Sequence, residues 1–555
     1  LPQLNMSGSG YTSIGRATGR ANKWAQANAG ANYAWQGSRH NVKFGFEEIY
    51  RTNIQTGLAG TFGNYSYDSS ATGDSLADLL LGRARSFSQN SNMTYWRAAA
   101  WQHGLFAQDE IKINKEFTLT VGVRWEADGA YKAVRGQKWA NWRPQKFDVK
   151  NGHGVNPTTG VLTGTVNNLN GIEIVDVVGS APKKNFAPRV AIAYAPWGAK
   201  TSIRAGYGVF FDHQQGPTSR LPGNPPFRYG VTLYDVLLDD PTGGSPDAAR
   251  PSGLSSVTVP FTTPRTHKYS ISFQQEVAGM LAEVSYIGNR STHQSISTDM
   301  NLLKPNADVL AKRIVIDAVR PYYGFGSISS TRWGANGRYN SFQAQLKRAM
   351  RNGLLLQSSF TYQKNTVDGG GTLWYDRRYD AGQISQHGIF SLAAAYQLPK
   401  VNDGPVALKL IVNGWQLSTE ARWLSGSPLS VGLSTDTTGT GRAYRANWTG
   451  NAAQNRTMDN WFDTAAFSAS APLQIGNSPI GAVWGPGSWN IDGGVFRDFK
   501  FRERFKLQYR FEAYNALNHF NYNNPNTAFG QPTFGKITAK GGGSRNLQMG
   551  LRLTF

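Results

Sequence analysis

Apolar and polar side chains alternate with a period of two along much of this chain. Leu547, Met549, Leu551, Leu553 and Phe555 alternate with Gln548, Gly550, Arg552 and Thr554. Phe505, Leu507, Tyr509, Phe511 and Ala513 stand against Lys506, Gln508, Arg510 and Glu512 in the same way. So do Phe117, Leu119, Val121, Val123 and Trp125 against Thr118, Thr120, Gly122, Arg124 and Glu126. Weaker versions run through residues 203–211, 269–273 and 354–362. Successive side chains of an extended chain point to opposite faces, so each segment predicts a strand with one apolar and one polar face.

These strands fall into hairpins. Tight turns are expected at Gln36-Gly37-Ser38-Arg39, Asn114-Lys115, Pro196-Trp197-Gly198-Ala199, Ala278-Gly279, Arg351-Asn352-Gly353 and Arg502-Glu503, and a longer one over residues 399–405. Between hairpins the chain makes long excursions, roughly 55–92, 132–184, 213–265, 291–338, 366–386, 426–487 and 519–544. A soluble sandwich or propeller has no reason to confine its long loops to one end, although either would account for any single strand. The pattern predicts an all-β fold: a transmembrane antiparallel outer-membrane β-barrel with long extracellular loops and short periplasmic turns. Threading the alternation gives about sixteen strands, the first near residues 4–14 and the last ending at Phe555. Many of them exceed the length needed to cross the hydrocarbon and are expected to continue beyond the outer surface.

Composition refines this picture. The 555 residues contain no run of eighteen apolar positions, so no transmembrane helix is expected. The mean hydropathy is mildly negative, as a barrel with a polar lumen would give. The absence of cysteine excludes disulfides and thiolate metal sites. The start, Leu1-Pro2-Gln3-Leu4, has neither a basic segment nor an apolar core, so the chain reads as processed or as a fragment. A net charge of +22 raises nucleic-acid binding. The Lys and Arg residues stand singly rather than in blocks, however, which suits a cationic wall or loop surface beside anionic lipopolysaccharide better.

Several motifs carry a family resemblance. Gly104-Leu105-Phe106-Ala107-Gln108-Asp109-Glu110, followed by Phe117-Thr118-Leu119-Thr120-Val121-Gly122-Val123-Arg124-Trp125-Glu126, resembles a hairpin widespread in TonB-dependent receptors. Others resemble the Oar-like branch: Asn185-Phe186-Ala187-Pro188-Arg189, residues 204–211, residues 283–290, Asn413-Gly414-Trp415-Gln416-Leu417, Ser425-Gly426-Ser427-Pro428, Gly485-Pro486-Gly487 and residues 511–519. The terminal Leu551, Leu553 and Phe555 resemble the signal read by the barrel-assembly machinery. The resemblance implies a cell outer membrane receptor whose barrel has about 22 strands around a plug. Residues 1–555 then form the C-terminal barrel portion of a larger receptor, without plug or regulatory-like domain. Its implied partners are outer-membrane lipid and lipopolysaccharide, the barrel-assembly machinery, the TonB complex acting through the plug, and an unidentified extracellular ligand. A complete porin-like or adhesion barrel is the alternative.

Catalytic chemistry has weaker support. Gly73-Asp74-Ser75-Leu76 spells a GDSL-esterase signature, yet no Asp-x-x-His follows to supply the base. The same stretch, 72–82, resembles a recurring Oar-like segment and is expected to form a short helix capped by Asp74 or Ser75. The eight histidines, among them His40, His103, His213, His267, His293, His387 and His519, are scattered, and none makes a His-x-x-x-His pair or stands near a carboxylate at ligand spacing. Asp239-Asp240 and Asp436 lack a calcium-loop pattern, and the glycines at 369–371 and 541–543 read as loop flexibility. No metal, cofactor, enzymatic activity or nucleic-acid partner is expected. Trp96, Trp101, Trp125, Trp415, Trp423, Tyr269, Tyr286 and Tyr362 are expected in interfacial girdles. Trp333, Trp374, Trp448, Trp461 and Trp484 are placed in loop packing ahead of carbohydrate stacking. Arg124, Arg204, Arg510 and Arg552 are expected to face the lumen and to favour anionic cargo.

Overall fold

A computed structural model describes residues 2–7, 11–15, 20–57, 60–91, 93–164, 168–180, 182–212, 218–246, 250–369, 371–452, 455–501 and 505–555. His213, Gly370 and the expected turn at Arg502-Glu503 lie outside them.

The period-two segments become one sheet of eighteen strands, in which three short strands (Lys132–Ala133, Ser252–Val257 and Gly382–Gln383) are additions to a fifteen-strand wall. In chain order the wall strands are β1 (Arg20–Gln36), β2 (His40–Gly57), β3 (Thr94–Lys112), β4 (Phe117–Asp128) and β5 (Asn185–Tyr194). They continue with β6 (Thr201–Phe211), β7 (Arg265–Val277), β8 (Met280–Asp299), β9 (Phe325–Arg351) and β10 (Leu354–Asp368). The last are β11 (Gly388–Gln397), β12 (Trp415–Leu424), β13 (Ser488–Phe501), β14 (Phe505–Tyr514) and β15 (Asn546–Thr554). Each pairs antiparallel with the next in sequence, an up-and-down meander.

Register puts the apolar stripes side by side. Leu551 lies opposite Tyr509 and Leu553 opposite Leu507, while Arg552 and Gly550 pair with Gln508 and Arg510 on the other face. Ile271, Tyr286 and Phe342 continue the same outward stripe, with Ser272, Ser285 and Gln343 behind it. A strand pair with these two faces suits lipid outside and water inside.

The short turns follow from local chemistry. Ala278-Gly279 and Asn352-Gly353 are two-residue turns with both φ angles positive, the geometry whose twist matches flanking strands. At the 113–116 turn, the Asn114 side chain accepts from the backbone N–H groups of Glu116 and Phe117. The longer turn contains a helix, Val406–Val412, at the same end of the wall. No helix among the described residues is long and apolar enough to cross a membrane.

At the opposite end the excursions fold into packed layers. Trp139 and Trp142 are fully buried, in separate clusters with Trp96, Leu221 and Val257 and with Leu254, Phe325 and Ile328. A third cluster gathers Val431, Phe462, Phe467 and Val483.

Three expectations need correction. Residues 4–14 do not supply a wall strand: Gln3–Met6 pairs parallel with Asn64–Tyr67 in a separate five-stranded sheet. The excursion expected over 291–338 is shorter, because β8 and β9 extend to Asp299 and from Phe325, beyond the apolar stripe. Trp96 is 2% exposed and donates to Thr218 Oγ1 at 2.9 Å, so it belongs to the loop core rather than to a girdle.

Candidate functional site

The residues expected to do chemistry are placed apart. Asp74 caps the helix Ser75–Leu80, accepting from the N–H groups of Leu76 and Ala77. Those bonds and one from Tyr11 hold its carboxyl below the usual range. The Ser75 hydroxyl is buried with no hydrogen-bond partner, an arrangement without the base a nucleophile needs. Asp436 accepts from the backbone N–H groups of Thr438, Gly439 and Gly441, which makes it a turn anchor.

Two histidines meet carboxylates across neighbouring strands. His103 Nδ1 lies 2.5 Å from Glu48, directly opposite it on β2, and His40 Nδ1 lies 2.8 Å from Asp109. The signal for both is strand register, which sequence spacing does not carry. Among the described residues, no group of three His, Asp or Glu could hold a metal ion.

The lumen arginines divide into two kinds. Arg124 is bound by Glu47 at 2.8 Å and Glu126 at 2.5 Å, and Arg510 by Glu512 at 2.8 Å. Arg204 and Arg552 take part in no ion pair among the described residues. The outward Leu551, Leu553 and Phe555 are 71%, 55% and 88% exposed.

A small, half-open cleft of about 70 Å³ lies where the wall meets the loops. The wall contributes Arg51, Gln102 and Asp128, and the loops contribute Tyr131, Thr218, Phe261 and the segment Thr262-Thr263-Pro264. Trp333, high on β9, meets Phe261 edge to face at 4.7 Å. Tyr131 packs on Trp96, and burial pushes its phenol up. Gln102 Oε1 is buried without a partner. Apolar rings facing a few convergent polar groups form the usual lining of a small-molecule site. Nothing in the linear sequence marks this set, because its members come from six segments brought together by the meander.

The loop tryptophans are held in packing. Trp374 donates to the Leu302 carbonyl and Trp461 to that of Trp484, while Trp448 joins the cluster around Val431.

Comparison with known proteins places this architecture. The family model for the outer membrane beta barrel domain matches residues 1–548. No curated protein matches the chain. Among solved structures, the outer membrane transporter YddB from Escherichia coli is 9% identical with a TM-score of 0.50, over 100% of this chain and 57% of that one. The ferric-catecholate import receptor Fiu from E. coli K12 is 10% identical with a TM-score of 0.45, over 98% and 56%. The ferripyoverdine receptor of Pseudomonas aeruginosa is 11% identical with a TM-score of 0.46, over 97% and 49%. The chain spans about half the length of these structures. An antiparallel wall, apolar outside and polar inside, with its loops gathered at one end, is the architecture of the family whose model covers nearly all of these residues; the chain belongs to the outer membrane beta barrel domain family and resides in the outer membrane.

Proposed function

We propose that this chain is the wall and loop portion of an Oar-like, TonB-dependent receptor that captures a scarce solute beneath its loops for energised uptake. The observation that carries this reading is the aromatic and polar cleft at the junction of wall and loops, with Trp333, Phe261 and Tyr131 facing Arg51, Gln102 and Asp128. A binding site there suits capture followed by driven release. The matched structures include named import receptors for iron complexes, so ferric siderophores are the first solutes to try.

The wall edges bear on how the barrel closes. β1 and β15 both run toward the short-turn end, and among the described residues they do not pair. Direct pairing would be parallel, so antiparallel closure calls for an odd number of further strands between them. Hydrocarbon cannot satisfy an open edge. Any even total meets that parity given the fifteen wall strands, about 22 in the receptor reading and sixteen in the porin-like one. In the receptor reading the TonB complex acts through the plug, and Leu551, Leu553 and Phe555 serve as the assembly signal on the exposed β15.

Uptake in cells that carry the gene in its natural setting tests the proposal, with radiolabelled ferric siderophores as the probe. Gene-dependent uptake abolished by a protonophore supports the receptor. Gene-dependent uptake that persists without the proton gradient supports the porin-like alternative.

A further inference from the structure

Three arginines gather on the outward face of the wall, just beyond its apolar stripe. Arg290 of β8 stands directly opposite Arg338 of β9, and on its other side opposite His267 of β7. Arg265, one outward position further along β7, lies opposite Thr292, to which its Nε donates at 3.3 Å. Tyr207, Tyr269 and Asn340 complete the lining of this open cleft, which contains no Asp or Glu. Lys364 is exposed beside it, opposite Asn340 on β10. Like charges directly opposed across strands cost stability, so the row calls for an anion.

Its height on the wall identifies the source of that anion. Below the arginines along the same outward face comes Tyr269, then Tyr286 and Tyr362 level with Ile271 and Phe342, and below these Phe273, Val284 and Phe360. Asn340 fixes the aromatic layer by accepting from Tyr269 at 2.8 Å and Tyr286 at 2.9 Å. Gly288 lies under the Tyr269 ring, where a Cβ would collide with it. Tyrosines of a barrel sit at headgroup depth, which places the guanidinium groups immediately outside the hydrocarbon on the long-loop side. Planar guanidinium groups bind phosphate oxygens in pairs.

We infer that Arg265, Arg290 and Arg338 form a binding site for the phosphate groups of an outer-leaflet glycolipid such as lipid A. The site deepens the outer-membrane placement and is independent of the receptor reading, since it faces away from the lumen. It also gives part of the +22 charge a partner.

The test uses the full chain in detergent micelles, with binding measured for lipid A, for lipid A stripped of its phosphates, and for inorganic phosphate. The Arg265→Gln/Arg290→Gln/Arg338→Gln variant is expected to bind lipid A about tenfold or more weakly than the parent. The corresponding Lys variant should fall between them, having charge without the paired donors. Arg204→Gln/Arg552→Gln, on the lumen face, should bind as the parent does, and dephosphorylated lipid A should bind the parent as weakly as lipid A binds the Gln variant. Matching far-UV circular dichroism confirms that each variant is folded; if the Gln variant fails this, the Lys variant against the lumen control decides. Unchanged binding by the outward variants, an equal loss in the lumen control, or inorganic phosphate displacing lipid A at equal concentration would overturn the inference.

Discussion

Arg124 on β4 reaches across β3 to Glu47 on β2, at 2.8 Å, while its Nε binds Glu126 two positions along its own strand at 2.5 Å. One guanidinium thus bridges two carboxylates on the lumen face, and β3 between them presents Gly104, whose lack of a side chain leaves the path open. Removing the cation takes the shared counter-charge from two partly buried carboxylates. Arg124→Ala is expected to destabilise the wall by about 2 kcal/mol, discounted for the exposure of Glu47. Glu47→Gln should cost less than half of that. Urea unfolding in lipid vesicles measures both.

The loops have a comparable anchor in Asn301. Its amide donates to the carbonyls of Tyr322, Phe325 and Gly326 and accepts from the Tyr322 N–H, with the side chain fully buried. Asn301→Ala leaves these groups unpaired and is expected to cost about 3 kcal/mol locally. Limited proteolysis should then cut within 300–325 while the wall's circular dichroism stays unchanged.

Glu173 links two short loop strands, Trp139–Trp142 and Ile172–Val175. Hydrogen bonds from Lys146 and then Arg143 outweigh desolvation and hold its carboxyl below the ordinary range. A depressed folded-state value means that the stabilising contribution is complete above the unfolded carboxylate range and is lost as the pH falls through the lowered value. Acid should therefore loosen this loop first, read as increased quenching of tryptophan fluorescence, and Glu173→Gln should remove that pH dependence.

Ser75→Ala should leave stability equal or slightly higher, since the hydroxyl it deletes is buried and unpartnered. Any p-nitrophenyl ester hydrolysis by the purified chain should also survive the change. Hydrolysis lost in the variant would restore the esterase reading.

The wall was legible because the side-chain period reports directly which face is wet. Leu551, Tyr509 and Val123 fall where alternation puts them, and Ala278-Gly279 and Asn352-Gly353 are turns that their composition announces. The limits of the strands were less so. Residues 291–299 and 325–338 lose the regular apolar alternation because they rise beyond the lipid, Phe325 and Ile328 packing into the loop core instead, and such ribbons resemble loops in sequence. Trp96 was misplaced because a tryptophan at a strand end suits either a girdle or a core, and only the fold of distant loops decides. The cleft and the outward arginines were hidden for another reason. Residues 265, 290 and 338 become neighbours only through register, which single-sequence patterns leave open.

The claim on which all of this depends is that one face of the wall meets lipid and the other meets water. Single cysteines placed in turn at 117–125 and 546–554, labelled in intact outer membranes with a membrane-impermeant maleimide after lumen access is provided, test it most directly. The account predicts reaction at Thr118, Thr120, Gln548 and Arg552 positions and protection at Leu119, Val121, Met549 and Leu551 positions, a strict alternation. Uniform reaction, or protection that follows a helical period, would contradict it.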